Sequence, residues 1–196
     1  MMERVRDVAE ALSDDAREWC VGRSRLVRLP LLAWGAWILA NHLRSEDYQS
    51  LFGGLNLGLH ELGHLLFMPF GQFLGFAGGT IAEAMAPLIG VVVFLRQRDY
   101  FGISTCLLWE GTVLIGIARY LGDARERSLM LVSPFGGEPM HDWHYLLGRM
   151  GLLSWDASLA SLVALTGYVS MACFLVSGTW LLLQMRPKRS PHQMSS

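Results

Sequence analysis

Two histidines and a glutamate lie in the stretch GGLNLGLHELGHLLFMPFG, residues 53–71, at a spacing that suits a metal site. His60 and His64 are about one helical turn apart, so on an α-helix their imidazoles fall about 40° apart on one face and can reach the same ion. Glu61 falls about 60° to the other side of His64, where its carboxylate can take a proton from a water bound to that ion. This H-E-x-x-H pattern predicts His60 and His64 as ligands of zinc (Zn²⁺) and Glu61 as a catalytic base.

The surroundings of the pattern argue against a chance occurrence. The two histidines lie near the middle of an apolar run, where each ionisable group costs about 2.5 kcal/mol or more in a membrane. Asn56 lies one turn before His60 on the same stripe, so its side chain is predicted either to orient a ligand imidazole or simply to pack between helices. Gly53 and Gly63 border the same face and predict the close approach of another helix, whereas Gly58 points the opposite way.

The composition predicts that the elements positioning these residues lie in a membrane. The chain has 196 residues, of which 52% are hydrophobic and 17% charged, with a mean hydropathy of +0.33. This is too apolar for an ordinary soluble domain. The formal net charge of -1 gives no basic field, so no nucleic-acid partner is expected. We therefore predict an all-α, polytopic membrane helix bundle in contact with the lipid bilayer.

Five apolar runs approach the roughly 20 residues that cross a bilayer. They cover residues 27–43, 51–70, 80–95, 100–121 and 157–185. Five crossings would place the basic stretches GRSRLVR and RPKRS on opposite sides, although basic flanks usually share one side. One segment is therefore a candidate for a re-entrant or half-spanning path, either the glycine-rich FGQFLGFAGGT or the short HDWHYLLGRMGLL.

The predicted organisation has three parts. Residues 1–25 form an amphipathic N-terminal helix, whose apolar stripe suits the membrane surface, the protein's own loops or a partner. Residues 26–185 form the membrane helix bundle with the metal site, and residues 186–196 form a disordered tail.

The sequence resembles a known class of membrane enzymes. HELGH within a membrane helix, followed by GFAGGTIAEAMAPL, is similar to the site-2 protease class of intramembrane zinc metalloproteases, and more narrowly to small bacterial membrane proteins grouped with that class. The narrow resemblance includes YLGDARERSLML and HDWHYLLGRMGLL and spans residues 41–156. In site-2 proteases the third zinc ligand is the aspartate of an Asp-Gly pair that starts another membrane helix, and this sequence contains no Asp-Gly. The resemblance implies location in the bacterial inner (cytoplasmic) membrane.

A catalytic zinc needs three protein ligands, so a third is expected outside the histidine pair. The HDWH stretch follows the turn-forming FGGEP and opens an apolar helical stretch, as the Asp-Gly pair of the resembled class does. Asp142 is the predicted third ligand and His141 the alternative, while helix capping by Asp142 also fits. Asp123 is a further alternative, although the arginines around it favour an ion pair. Glu83 and Glu110 interrupt apolar runs and are expected to be hydrogen-bonded or to line the same cavity.

Two functions fit this pattern. One is an intramembrane zinc metalloprotease that hydrolyses peptide bonds of a membrane-protein substrate, which must unwind locally to reach the metal. The glycine-rich segment after Phe70 is then expected to pair with the unwound strand. The other is a non-catalytic accessory or assembly subunit of a larger membrane complex, in which the histidines hold a structural metal or none.

Overall fold

The computed structural model describes residues 2–130 and 140–186, and within these residues the chain is an all-α bundle, as predicted. Its helices in chain order are α1 (Met2–Cys20), α2 (Arg25–Arg44), α3 (Phe52–Phe67), α4 (Gln72–Arg96), α5 (Tyr100–Gly122), α6 (Asp142–Met150) and α7 (Asp156–Gln184). Short 3-10 turns, Met68–Phe70 and Leu153–Trp155, lead into α4 and α7. The predicted turn FGGEP and residues 187–196 of the predicted tail lie outside the described residues.

Four helices are long and apolar enough to cross a membrane, namely α2, α4, α5 and α7. Helix α3 has 16 residues, which span about 24 Å, less than the roughly 30 Å of a bilayer core. Within the described residues the structure therefore has four crossings instead of the predicted five, and the remaining apolar run forms a short helix that carries the two histidines. Helix α6 has nine residues and is too short to cross, as expected.

The glycine-rich stretch was one of two candidates for a re-entrant or half-spanning segment, and for this stretch the expectation is wrong. Helix α4 begins at Gln72 and runs without a break through the glycines to Arg96. Its backbone groups are already paired within the helix, so they offer no free edge to an unwound substrate strand. The turn before it depends on Gly71, whose φ of +104° is a value that residues with a side chain rarely adopt.

One end of the bundle, which we call the α1 end, joins the start of α2 to the end of α7. The N–H of Gly22 donates to the carbonyl of Arg186 at 3.0 Å, and Val21 and Arg186 form a parallel bridge. Ala16 and Cys20 of α1 are buried against Leu181 and other apolar residues of this end. The stripe of α1 therefore docks on the protein's own helices, at least in its second half. The basic stretch before α2 and Arg186, the first residue of RPKRS, lie on the same side, contrary to the five-crossing prediction.

The opposite end, the α6 end, is where α4 and α7 begin and α5 ends. The ring of Tyr145 in α6 packs on Phe76 of α4 with centroids 4.3 Å apart. His144 Nδ1 lies 2.8 Å from the carbonyl oxygen of Ala124, directly after α5. Leu147 is buried against the same segment. These contacts fix the start of α6 against α4 and α5.

Candidate metal centre

The side chains of His60, His64 and Asp142 converge on one point between α3 and α6. His60 Nε2 lies 3.0 Å from Asp142 Oδ2, and His64 Nε2 lies 3.3 Å from the same oxygen. His60 and Asp142 are buried, whereas His64 is partly exposed. One ligand atom from each residue lies within 4.8 Å of the other two. The cluster can therefore hold a metal ion, with Asp142 in the position predicted for a third ligand.

The other ring nitrogen of each histidine has its own hydrogen-bond acceptor. His60 Nδ1 lies 3.0 Å from Glu83 Oε1, and His64 Nδ1 lies 2.8 Å from the carbonyl oxygen of Gly75. An acceptor at Nδ1 holds the proton on that nitrogen and leaves the Nε2 lone pair free for a metal. Both acceptors belong to α4. Helix α4 thus sets the tautomer and the orientation of both imidazoles.

Asp142 is oriented by a tyrosine of α5. Its backbone N–H donates to the hydroxyl of Tyr120 at 2.9 Å, and that hydroxyl donates to Asp142 Oδ2 at 3.3 Å. The residue that caps α6 is His141, whose Nδ1 accepts from the N–H of His144 at 3.2 Å. The alternative that Asp142 serves as the helix cap is therefore wrong. Its carboxylate turns instead towards the two histidines.

The two alternative third ligands, His141 and Asp123, lie together and apart from the cluster. His141 Nε2 is 3.3 Å from Asp123 Oδ2. Asp123 accepts hydrogen bonds from the backbone N–H groups of Ser128 and Leu129 at 2.8 and 3.1 Å. Burial would raise the pKa of Asp123, but the hydrogen bond from the Ser128 hydroxyl, together with those from the two N–H groups, outweighs it and holds that pKa below its usual value. Asp123 closes the turn after α5.

Two of the three arginines that were expected to pair with Asp123 bind other carboxylates. Arg119 lies 2.6 Å from Asp47 in the loop after α2, and Arg125 lies 2.7 Å from Asp156 at the start of α7. Asp156 is buried, so the second pair fixes α7 to the segment after α5. The predicted interfacial ion pair of Asp123 is therefore not formed with these two arginines.

Glu61 and Asn56 occupy different surroundings. Glu61 is partly exposed and lines the same cavity as the three ligand residues, as its predicted role as a base requires. Asn56 is buried, and its Oδ1 accepts from Trp109 Nε1 at 2.8 Å. The structure therefore places Asn56 in the packing of α3 against α5. Glu83 and Gly75, rather than Asn56, hold the ligand imidazoles.

Close packing of α3 on α4 depends on glycines of both helices. A Cβ on Gly63 would lie 2.2 Å from the carbonyl oxygen of Gly78, and a Cβ on Gly79 would lie 2.6 Å from His60 Nε2. The predicted close approach at Gly63 is thus present. At Gly53 the nearest atoms belong to Gln49 at 4.0 Å, so the same prediction is wrong there. The imidazole of His60 lies directly on the backbone of α4.

The cluster opens into a cavity of about 1120 Å³. The cavity reaches the exposed residues Glu46 and Gln49 of the loop after α2, so it leads to the α6 end of the bundle. Gly79, which contacts His60, is only seven residues into α4, or about 10 Å along its axis. The centre therefore lies nearer to one membrane face than its position in the apolar run predicts.

Sequence reasoning placed Glu83 only among general polar candidates, yet it makes a specific contact. Replacing Glu83 with alanine is expected to lower metal affinity about 10–100-fold, because His60 Nδ1 loses the acceptor that orients the ring. Glu83→Gln should cost less, since the amide oxygen can still accept. Competition with a chelator measures both affinities.

Glu110→Ala provides the matched control for Glu83. Glu110 is also a carboxyl group within an apolar helix, and its Oε2 has no hydrogen-bond partner among the residues that the structure describes. Its replacement should leave metal affinity unchanged. Equal losses in the Glu83 and Glu110 variants would contradict a specific role for Glu83.

Comparison of the chain with models of known protein families, with curated proteins and with solved structures finds no match. The four long apolar helices identify an integral membrane protein. Its candidate centre is a set of two histidines and one carboxylate that can hold a metal ion, assembled from α3 and α6 and oriented by α4 and α5.

Proposed function

We propose that this chain is an intramembrane zinc metalloprotease of the bacterial inner membrane, acting on a membrane-protein substrate. The observation that carries the proposal is the convergence of two Nε2 atoms on one oxygen of Asp142, with both Nδ1 atoms occupied by acceptors. Two histidines and one carboxylate are a ligand set that catalytic zinc uses in hydrolases.

Two of the three distances between the ligand atoms fit zinc. Zinc binds nitrogen at about 2.0–2.1 Å and carboxylate oxygen at about 2.0–2.2 Å, which puts tetrahedral ligand atoms roughly 3.3 Å apart. The two histidine nitrogens lie 3.0 and 3.3 Å from Asp142 Oδ2. Asp142 also supports the resemblance to site-2 proteases, because it starts a helix as their aspartate does, although Trp143 follows it in place of glycine.

Peptide hydrolysis assigns a role to each residue of the centre. Zinc, when bound, supplies a Lewis acid that activates water and polarises the scissile carbonyl. Glu61 takes the proton of the attacking water and passes it to the leaving amine. His60, His64 and Asp142 hold the ion, and the cavity beside them admits a locally unwound segment of the substrate.

The test combines metal content with cleavage, using the full chain purified in detergent. Elemental analysis should find about one zinc per wild-type chain, almost none in His60→Ala or His64→Ala, and a full equivalent in Glu61→Gln. Quenched fluorescent peptides from single membrane helices and denatured casein serve as substrates. Glu61→Gln should lower cleavage roughly 10²–10⁴-fold, the usual contribution of a general base.

The outcomes separate the protease from the accessory subunit. Zinc at full occupancy with equal, background cleavage by the wild type and Glu61→Gln would indicate a structural metal in a non-catalytic subunit. Wild-type protein that takes up no zinc would exclude the proposed enzyme altogether.

A further inference from the structure

The basic residues are divided unequally between the two ends of the bundle. Those of the α1 end flank the starts and ends of its membrane helices: Arg23, Arg25, Arg28, Arg96, Arg98 and Arg186, which Lys188 and Arg189 follow in sequence. Arg17 of α1 adds to this group, since its guanidinium lies over the ring of Trp180 near the end of α7. Those of the α6 end are Arg44, Arg119, Arg125, Arg127 and Arg149.

Packing shows that the basic segments of the α1 end share one side of the membrane. The Gly22 to Arg186 hydrogen bond joins the segment before α2 to the segment after α7. Arg98, directly after α4, contacts Asp15 of α1, and Tyr100 at the start of α5 contacts the same carboxylate. The start of α2, the end of α4, the start of α5 and the end of α7 therefore all lie at this end of the bundle.

Lysines and arginines close to membrane helices are enriched on the cytoplasmic side, and acidic residues contribute little to this bias. The α1 end carries the excess of these residues. The α6 end, with fewer of them, is the end into which the cavity of the metal centre opens.

We infer that the α1 end faces the cytoplasm and that the metal centre opens to the opposite, non-cytoplasmic side. The substrate class then becomes narrower: a membrane-protein segment that lies at, or can be drawn to, the non-cytoplasmic face. This statement about the substrate rests on the proposed function, whereas the orientation rests on packing and charge alone. The depth of the centre agrees with an opening at the α6 end, because Gly79 is about 10 Å from the start of α4 at that end.

Single cysteines test the orientation without any need for catalysis. The background variant is Cys173→Ala, because Cys20 and Cys106 are buried and Cys173 is exposed. Exposed positions at each end then receive one cysteine, and every lysine and arginine is left in place. The variants are Glu46→Cys and Met150→Cys at the α6 end, and Ser24→Cys and Gln97→Cys at the α1 end.

A membrane-impermeant maleimide is applied to bacterial spheroplasts that express the full chain. We expect Glu46→Cys and Met150→Cys to be labelled in intact spheroplasts, and Ser24→Cys and Gln97→Cys only after permeabilisation. The reverse pattern, or similar labelling of all four, would overturn the inference.

Reporter fusions give a second readout where a cysteine variant fails to accumulate. A green fluorescent protein placed after the chain should fluoresce, and alkaline phosphatase in the same place should be inactive, if Arg186 lies at the cytoplasmic face. An active phosphatase would overturn the orientation. Zinc content and peptide cleavage are measured on solubilised protein, so a failure of the proposed function cannot be mistaken for a failure of the orientation.

Discussion

Asp142→Ala is expected to remove zinc as completely as His60→Ala, reducing the content from about one ion per chain to almost none. The reason is that Asp142 Oδ2 is the atom on which both histidine Nε2 atoms converge. Two histidines alone leave a catalytic zinc site one protein ligand short. Elemental analysis of the purified variants measures the effect, and circular dichroism shows whether the helices remain.

The controls for Asp142→Ala are the two alternative ligands. His141→Ala and Asp123→Ala should retain zinc, because these residues pair with each other rather than with the cluster. Asp123→Ala is expected to loosen the turn after α5, since its carboxylate accepts from Ser128 and Leu129. Zinc that persists in Asp142→Ala and disappears in His141→Ala would show that the third ligand has been misassigned.

Gly79→Ala is expected to damage the centre without changing any ligand. The added methyl group would lie 2.6–2.7 Å from three atoms of the His60 ring, which is too close for any real contact. The ring must then turn away from Glu83 and from Asp142. We expect a loss of about 1–3 kcal/mol in stability from overpacking. Zinc affinity should fall about 10–100-fold, as when a ligand imidazole loses its orientation.

Gly58→Ala is the matched control for Gly79→Ala. Gly58 is also a helical glycine near the centre, but a Cβ there would meet nothing within 4 Å. Zinc affinity should be unchanged, and stability should rise slightly because alanine favours a helix more than glycine does. Thermal unfolding and chelator competition compare the two variants. Wild-type zinc affinity in Gly79→Ala would show that His60 is not held against α4 as described.

The sequence could predict those residues of the centre whose positions follow from local patterns in the chain. The spacing of His60 and His64 fixes their relative position on any helix, whatever surrounds it. Asp142 was predicted as the third ligand because it opens a helical stretch after a turn, as the aspartate of the resembled protease class does, and the structure places it beside both histidines. The predicted roles of Glu61 as base and of zinc as cofactor stay predictions.

Contacts between helices were beyond the reach of sequence patterns. Glu83 and Tyr120 hold ligands only because α4 and α5 pack beside α3 and α6, at a register that no local spacing reveals. The glycines of FGQFLGFAGGT suggested a break, since glycine disfavours helices. In the structure Gly78 and Gly79 allow close contact with α3, and packing outweighs propensity.

The histidine pair and the carboxylate of the centre are far apart in the chain, so the histidines are synthesised well before the carboxylate. His60 and Asp142 are 82 positions apart. At about 5–20 residues per second, roughly 4–16 s pass between the synthesis of these two residues. During this interval a nascent chain holds the histidine pair without its carboxylate and lacks a complete zinc site. In the proposed zinc site, tight uptake therefore begins only once α6 has docked, so that a bound ion indicates a chain synthesised at least through α6.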